Sequence, residues 1–250
     1  MLGTGTSLGV PMLACQCKVC KSTNSKDKRL RSAVLVQAES RNIVIDIGPD
    51  FRMQMLNNDV RHLEGVLMTH SHRDHTAGLD DVRSFNWINS KPVDIYAEDT
   101  VIDALKHDFS YAFARSEYSG LPEIEFHHID NRQFEVAGIC ITPVRVMHHK
   151  LPVLGYRIGN FTYLTDTNHV PREEYPKLYG TKVLVVDGLR FEKHVSHFNI
   201  QEALELISEI KPEKAYITHI SHQLGLHDEV NAMLPGGVEL AYDGLVIDLD

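Results

Sequence analysis

A chain of 250 residues is long enough to bury a substantial core, and its 43% hydrophobic and 24% charged residues are typical of a soluble globular protein. Its formal net charge of -9 disfavours constitutive nucleic-acid binding, because the phosphate backbone favours a basic surface. No stretch of the sequence approaches the roughly 20 apolar residues of a membrane span, and the N-terminus lacks a signal-peptide pattern. We therefore expect a cytoplasmic protein with no membrane partner.

Apolar runs rich in Val and Ile, bounded by Gly, Pro, Asp or Asn, predict β-strands. In chain order these runs are 33–37, 42–47, 65–69, 93–97, 139–146, 154–158, 162–165, 183–186, 215–218 and 245–249. Helical periodicity predicts helices over 74–87, 100–114, 171–179 and 199–210. Because strands and helices fill both halves, we predict an α/β fold in which two sheets pack face to face with helices outside, as a single domain over 1–250.

A dense group of potential metal ligands follows the apolar strand at 65–69. The segment Thr69-His70-Ser71-His72-Arg73-Asp74-His75 holds three histidines and one aspartate within six residues. Imidazole and carboxylate are the usual protein ligands of zinc, manganese and iron. Asp74 and His75 diverge by about 100° on a starting helix, which suits two neighbouring ions better than one. The alternative for Asp74 alone is a helix N-cap.

Three of the four cysteines lie close together at the N-terminus, as Cys15, Cys17 and Cys20, while Cys140 lies alone in an apolar run. A disulfide framework spreads its cysteines along the chain, whereas a C-x-C-x-x-C cluster directs thiolates to one centre. This pattern predicts a metal-binding loop, with a cluster of free thiols as the alternative. For Cys140 we predict a small buried hydrophobe.

The H-x-H-x-D-H motif after an apolar strand resembles that of the metallo-β-lactamase superfamily, an αββα sandwich of two mixed β-sheets. The resemblance implies an early structural aspartate at Asp46 and three further ligands, His148, Asp166 and His219. One ion would then take His70, His72 and His148. The other would take Asp74, His75 and His219. Asp166 would bridge them, leaving open coordination for a bridging water or hydroxide. His149 competes with His148, because adjacent strand residues face opposite ways.

A narrower resemblance, to PhnP-type phosphoribosyl cyclic-phosphate phosphodiesterases, rests on the N-terminal Gly3-Thr4-Gly5-Thr6 segment, the cysteine cluster, His219-x-x-His222-Gln223 and Asp243-Gly244. It implies a structural zinc held by Cys15, Cys17, Cys20 and His222, a closed Cys3His set. The sequence departs from the family at its N-terminus, where only Met1 and Leu2 precede the Gly3 segment, and in 94–125, where no motif matches and where we expect the substrate wall.

Two histidines compete for the role of proton donor. His197 precedes the predicted helix 199–210, and His194 lies three residues earlier. The resemblance places a histidine before this helix near the scissile phosphate, and neutral-pH histidine suits protonation of a leaving alkoxide. We favour His197, and count it with Asp74 as the candidate catalytic residues. The alternative for His197 is a solvent-facing residue at a helix start.

These features together predict a hydrolase with two catalytic divalent ions, Zn or Mn, and one structural Zn. Its expected substrate is a small or cyclic phosphodiester. The alternatives are a transfer-RNA 3′-processing endonuclease, whose long glycine-rich RNA-clamping arm is not visible in this sequence, and a non-enzymatic metal-binding scaffold. The sequence leaves the oligomeric state open, a homodimer included.

Overall fold

A computed structural model describes residues 1–114 and 120–249. Part of the expected substrate wall at 94–125 therefore lies outside the described residues. No helix among the described residues is both long enough and apolar enough to cross a membrane.

The first sheet is five-stranded within the described residues and runs in the order β1-β2-β3-β4-β5. Its strands are β1 Val34–Ala38, β2 Arg41–Ile45, β3 Gly65–Leu67, β4 Val93–Ala97 and β5 Ile124–His128. The β1–β2 pair is antiparallel, and the remaining pairs are parallel. The carboxyl ends of β2 and β3 therefore meet at one edge of the sheet.

The second sheet is seven-stranded in the part of the chain that the structure describes, in the order β12-β11-β10-β9-β8-β7-β6. Its strands are β6 Phe134–Val136, β7 Ile139–His148, β8 Leu151–Ile158, β9 Phe161–Leu164, β10 Val183–Asp187, β11 Lys214–Thr218 and β12 Val238–Leu240. Strands β9 to β12 are parallel to one another, and β6 to β9 are antiparallel. Both sheets are thus mixed.

The helices are α1 Phe51–Asn57, α2 Arg73–Thr76, α3 Arg83–Asn89, α4 Asp99–Asp108, α5 Ser110–Phe113, α6 Tyr175–Leu178, α7 Ile200–Ile210 and α8 His227–Asn231. Short 3-10 turns cover Ser25–Asp27, Leu79–Val82 and Arg172–Glu174. Helix α7 begins where the sequence predicts. The side chain of Asn199 caps it by accepting a hydrogen bond from Glu202 N, and the Glu202 carboxylate accepts one from Asn199 N.

Successive side chains point to opposite faces of each strand, and this produces three apolar layers. Ile43 and Ile45 of β2 face the second sheet and pack with residues such as Tyr163. Val44, between them, points to the other side and packs with the helices outside the first sheet. On the far side, Ala203 and Leu206 of α7 cover the second sheet. This order of layers confirms the predicted αββα sandwich.

The predicted helix over 74–87 is wrong as a continuous element. It consists of α2, the 3-10 turn Leu79–Val82 and α3. The backbone after β2 interrupts it: Ile47 N donates to His75 O (2.9 Å), and Gly78 N donates to Ile47 O (2.8 Å). At Gly78 a Cβ atom would lie 2.3 Å from the Gly48 carbonyl, so this close approach requires glycine. The predicted helices 100–114 and 171–179 are likewise divided in two.

Other predictions fail at the edges of the fold. The segment 245–249 is not a strand, although Leu245 and Ile247 pack against the core between the sheets. Cys140 is exposed rather than buried. The strands β5, β6 and β12, which the sequence analysis missed, all lie at sheet edges, where strands are short and polar. The helices α1 and α8 were missed as well.

Candidate metal centre and active site

The candidate site is built from residues at the carboxyl ends of strands. Asp46 follows β2 and His70 lies just beyond β3, in the first sheet. Asp166 and His219 follow β9 and β11, in the second. Because parallel strands end at the same edge of a sheet, and the two sheets face each other, these side chains converge on one cleft.

Three of these residues have left-handed backbone conformations directly after their strands. The φ angles are 66° at Asp46, 49° at Asp166 and 57° at His219. Non-glycine residues rarely adopt positive φ, and such positions concentrate at functional sites. The side chains of Asp166 and His219 line the cleft, whereas that of Asp46 is fully buried and contacts His75.

The helix α2 begins one residue after His72, which has extended φ and ψ angles of -63° and 147°. His72, and not Asp74, is therefore the N-cap residue, and the N-cap alternative for Asp74 is wrong. Asp74 and His75 lie in the first turn of α2. The Oδ2 atom of Asp74 is 3.2 Å from Nε2 of the buried His75 ring.

Asp166 is the shared member of three groups of potential ligand atoms, each with its atoms within 4.8 Å of one another. The groups are His70, His75 and Asp166; Asp74, Asp166 and His219; and His148, Asp166 and His197. Asp166 Oδ1 lies 3.1 Å from His75 Nε2 and 3.0 Å from His219 Nδ1. This central, buried carboxylate has the position expected of a bridging ligand.

Three buried ring nitrogens in this cluster have no hydrogen-bond partner: Nε2 of His70, of His75 and of His219. A buried polar atom without a partner is costly unless something binds it. Burial alone would lower the pKa of His75, but the carboxylates of Asp166, Asp46 and Asp74 raise it well above its usual value. Unpaired imidazole nitrogens beside clustered carboxylates are the donor set that divalent transition metals prefer, so these residues fit metal ions.

Asp46 fixes the orientation of the His75 ring. Its Oδ2 accepts a hydrogen bond from His75 Nδ1 at 2.6 Å, and its Oδ1 accepts one from Thr69 N at 2.9 Å. Both Asp46 and His75 are fully buried. A carboxylate that holds one ring nitrogen leaves the other directed at the centre, a common arrangement around metal sites.

The structure distinguishes His148 from His149 as the candidate ligand. The His148 ring lies 5.9 Å from the His70 ring and 5.1 Å from the His72 ring, and its Nδ1 donates to Ser196 O at 2.9 Å. His149 is exposed, has a φ of 57° and is absent from these contacts. The position of His148 therefore fits a ligand and that of His149 does not. His72 is exposed and stands at the rim, with its ring 4.6 Å from that of His70.

His197 lies in the same cleft, with its ring 4.6 Å from the His148 ring and 4.7 Å from the His219 ring. Its Nδ1 donates to Asp187 Oδ2 at 2.7 Å. Burial opposes the charged form of His197, but Asp187 outweighs burial and raises the pKa of His197 to about 9. A buried, protonated imidazole facing the cluster suits a proton donor.

His194 differs from His197 in its environment. Its Nδ1 faces the Ser196 hydroxyl at 3.3 Å, and burial, together with the charge of His197, lowers its pKa. It has no carboxylate partner among the described contacts. Asp187, the last residue of the buried β10, is the carboxylate that distinguishes these two histidines, and it was not among the residues predicted from the sequence. A charged residue at the end of a run of Val and Leu was the available signal.

The cleft that these residues surround has a volume of about 590 Å³. Its lining residues are Ser7, Ser71, His72, Arg73, Asp74, Asp108, His148, Asp166, His197 and His219. His70 and His75 lie beneath its floor, nearly or fully buried. A small polar substrate can therefore reach the ligand cluster from one side.

A second group of potential ligands is formed by Cys15, Cys17, Cys20 and His222. The Nδ1 atom of His222 lies 3.5 Å from Cys15 Sγ and 3.4 Å from Cys17 Sγ. The Cys20 backbone N–H and the His222 ring lower the pKa of the Cys17 thiol to about 6. His222 follows His219 by three residues, so one short loop serves both groups.

Comparison with known proteins agrees with this geometry. A family model described as the β-lactamase superfamily domain matches residues 41–220. The structure of a diphosphatase from the PhnP family is 37% identical and covers 100% of this chain and 96% of its own, with a TM-score of 0.93. Human tRNase Z, short form, has a TM-score of 0.72 at 17% identity, covering 100% of this chain and 98% of that chain. The last of these likenesses concerns the fold alone.

Among curated proteins, an octanoyltransferase of Porphyromonas gingivalis is 38% identical over 253 residues, covering 100% of this chain but 51% of that protein. The chain spans about half the length of the first curated relatives it matches. The protein belongs to the β-lactamase superfamily and has the fold of its metal-dependent hydrolases. Because it is 37% identical over its full length to the PhnP-family diphosphatase, it also belongs to the PhnP family.

Proposed function

We propose that this protein hydrolyses a small or cyclic phosphodiester with the help of two divalent ions, Zn or Mn, held at the candidate active site. The observation that carries the proposal is the buried carboxylate of Asp166, which is common to three groups of potential ligand atoms. His70, His72 and His148 would hold one ion. Asp74, His75 and His219 would hold the other, with Asp166 between them.

Paired divalent ions of this kind activate water near neutral pH and neutralise charge on phosphoryl oxygens. The protein's own side chains orient the ligands and supply the proton. Asp46 fixes the ring of His75, and Asp187 holds His197 with its Nδ1 occupied. The remaining nitrogen of His197 is then free to give a proton to the leaving oxygen. Protonation by a positioned side chain contributes about 10²–10⁴-fold to such reactions.

The names of three relatives suggest other activities, and the diphosphatase from the PhnP family is named for hydrolysis of a diphosphate rather than a phosphodiester. Processing of transfer RNA is disfavoured by the net charge of -9, since RNA binding rewards a basic surface. Octanoyl transfer is named for a protein of which this chain covers 51%, so that activity can reside in the other half. A scaffold without activity is disfavoured by the His197–Asp187 pair, which metal binding alone does not require.

A substrate panel tests the proposal. It should contain five-membered cyclic phosphodiesters, linear diesters, the matching monoesters, a transfer-RNA precursor and an octanoyl donor. We expect turnover of small diesters with little hydrolysis of the monoesters. Exclusive cleavage of the RNA precursor, or octanoyl transfer without diester cleavage, would contradict the proposal.

We also propose that Cys15, Cys17, Cys20 and His222 bind a structural zinc, because four such ligands complete a tetrahedral site. Cys17→Ala should lower the free energy of unfolding by about 4 kcal/mol, in the range associated with loss of a metal, or about 8–16 °C in melting temperature. Thermal melts measure this. The exposed Cys140→Ala is the matched control and should leave stability nearly unchanged. Equal melting temperatures for both variants would exclude a stabilising zinc.

A further inference from the structure

A second cleft, of about 400 Å³, adjoins the catalytic cleft, and its volume is in the range of small-molecule sites. Its residues belong to two loops, 6–13 and 189–197, and to the segment after His219. Ser7 and His197 line both clefts, so a substrate can extend from one into the other. The full lining is Thr6, Ser7, Leu8, Met12, Leu189, Arg190, His194, His197, Ser221, His222 and Gln223.

Backbone hydrogen bonds hold these two loops side by side. Thr6 N, in the first loop, donates to Ile220 O at 3.1 Å. The next residue, Ser221, donates its backbone N–H to Leu189 O, in the second loop, at 3.0 Å. Because the second loop ends with His197, the walls of the second cleft have a fixed position relative to the proposed proton donor.

Both loops present apolar side chains. Leu8 lines the cleft although 57% of its surface is exposed, and Phe191 and Val195 are exposed on the second loop. Met12 and Leu189 line the cleft as well. No carboxylate is among the described lining residues, although the whole chain is acidic. Apolar surface that is exposed together in a groove marks a place where a ligand covers it.

Arg190 adds a polar anchor to this apolar lining. Its Nη1 donates to the side-chain oxygen of Gln223. Its Nε is buried and has no hydrogen-bond partner among the described residues. The carboxylate of Glu192, 4.0 Å from that Nε, is beyond hydrogen-bond distance but offsets part of the positive charge. Sites for small molecules combine an apolar lining with a few polar groups that orient the ligand in this way.

We infer that the second cleft binds the leaving group of the substrate and that this leaving group is an alcohol with an apolar alkyl chain. The inference rests on the proposed function, because it takes His197 as the donor to the leaving oxygen. The chain would lie against Leu8, Met12 and Leu189, and Arg190 would donate to any further oxygen atom that the alcohol carries. The substrate class is then a phosphodiester of an alkyl alcohol.

The hydrolysis balances with water as the second reactant. Water adds its oxygen to phosphorus, the P–O bond to the alcohol breaks, and the electron pair of that bond goes to the leaving oxygen. His197 protonates this oxygen, and the proton that the water releases restores His197. The free alcohol then leaves through the second cleft.

Monoalkyl esters of methylphosphonic acid test the inference. They carry one negative charge, as a phosphodiester does, and they have a single ester bond, so the alkyl alcohol must be the leaving group. Each ester is used below the concentration at which it forms micelles. In the parent protein kcat/KM should rise about two- to fourfold for each methylene added between the ethyl and the hexyl ester, the gain expected for partial to full burial. Leu8→Ser should lower the hexyl-to-ethyl ratio at least about fivefold, because the chain loses an apolar contact.

Leu56→Ser is the matched control. Leu56, on α1, is 59% exposed, close to the 57% of Leu8, and it lines neither cleft. It should leave the hexyl-to-ethyl ratio unchanged, and thermal melts should show that both variants fold like the parent. A ratio near one in the parent, or the same ratio in both variants, would overturn the inference. A preference for the 5-carboxypentyl ester over the hexyl ester would also overturn it, since Arg190 would then serve an anion.

Binding decides the inference separately from the proposed function if no ester is hydrolysed. Calorimetry should show that the parent binds hexylphosphonate at least about tenfold more tightly than ethylphosphonate. Leu8→Ser should reduce that difference, and Leu56→Ser should retain it. Equal binding of the two phosphonates by the parent would reject the alkyl site, whereas the absence of hydrolysis alone would reject the proposed function.

Discussion

Asp166→Asn should lower kcat for phosphodiester hydrolysis at least about a thousandfold, at the upper end of the effects of losing one electrostatic group in an active site. Asp166 is buried and shared by all three ligand groups around the cleft. A neutral amide at this position binds cations more weakly, so the amount of tightly bound catalytic metal should also fall. Steady-state kinetics and elemental analysis measure the two effects.

The fold should survive this change, because the substitution preserves the shape of the side chain and the three apolar layers are untouched. Asp103→Asn, on the exposed face of α4, is the matched control and should retain full activity and metal content. Near-parental activity in Asp166→Asn would remove Asp166 from the centre of the mechanism.

His197→Ala should lower kcat by about 10²–10⁴-fold on substrates with alkoxide leaving groups, the range for loss of a general acid. A nitrophenolate leaves without much protonation, so the loss on bis(4-nitrophenyl) phosphate should be smaller. The parent rate on the alkoxide substrate should fall as pH rises through the pKa of His197, because the protonated ring is the active form. Bound cations favour the neutral ring, so this fall in rate should occur at or below pH about 9. In His197→Ala this fall in rate with rising pH should be absent.

Metal content separates two roles for His197, since its ring also lies within reach of His148 and Asp166 as a potential ligand. Unchanged metal in His197→Ala supports proton donation, and lost metal would make His197 a ligand. His194→Ala is the matched comparison. If it alone showed the dependence on the leaving group, the donor would be His194.

The first part of the predicted ligand cluster can be read from the sequence because its residues are neighbours in the chain. His70, His72, Asp74 and His75 lie in one short segment, and Asp166 and His219 each follow a strand that its apolar residues define. Strand ends in such a fold meet at one edge, but it was the resemblance to the metallo-β-lactamase superfamily that singled out Asp166 and His219 among the residues that follow strands. The structure adds the contacts that distinguish His148 from His149.

The features that could not be predicted from the sequence depend on contacts between distant segments. The break in the predicted helix 74–87 comes from hydrogen bonds to Ile47, and no periodicity within the helix reveals them. The pairing of Asp187 with His197, and the unpartnered Nε of Arg190, arise only when β10 and the loop after it are folded together. Edge strands such as β5 were not predicted for a simpler reason: their polar residues hide the apolar pattern of a strand.

Metal reconstitution shows whether diester hydrolysis depends on the ions that the ligand cluster would hold. The catalytic ions would be removed with a chelator, zinc or manganese returned in known amounts, and diester hydrolysis followed beside elemental analysis. We expect activity to be lost on removal and to reach its plateau at about three ions per chain, two in the catalytic cleft and one on the cysteine loop. Full diester hydrolysis by protein that carries one ion or none would contradict it.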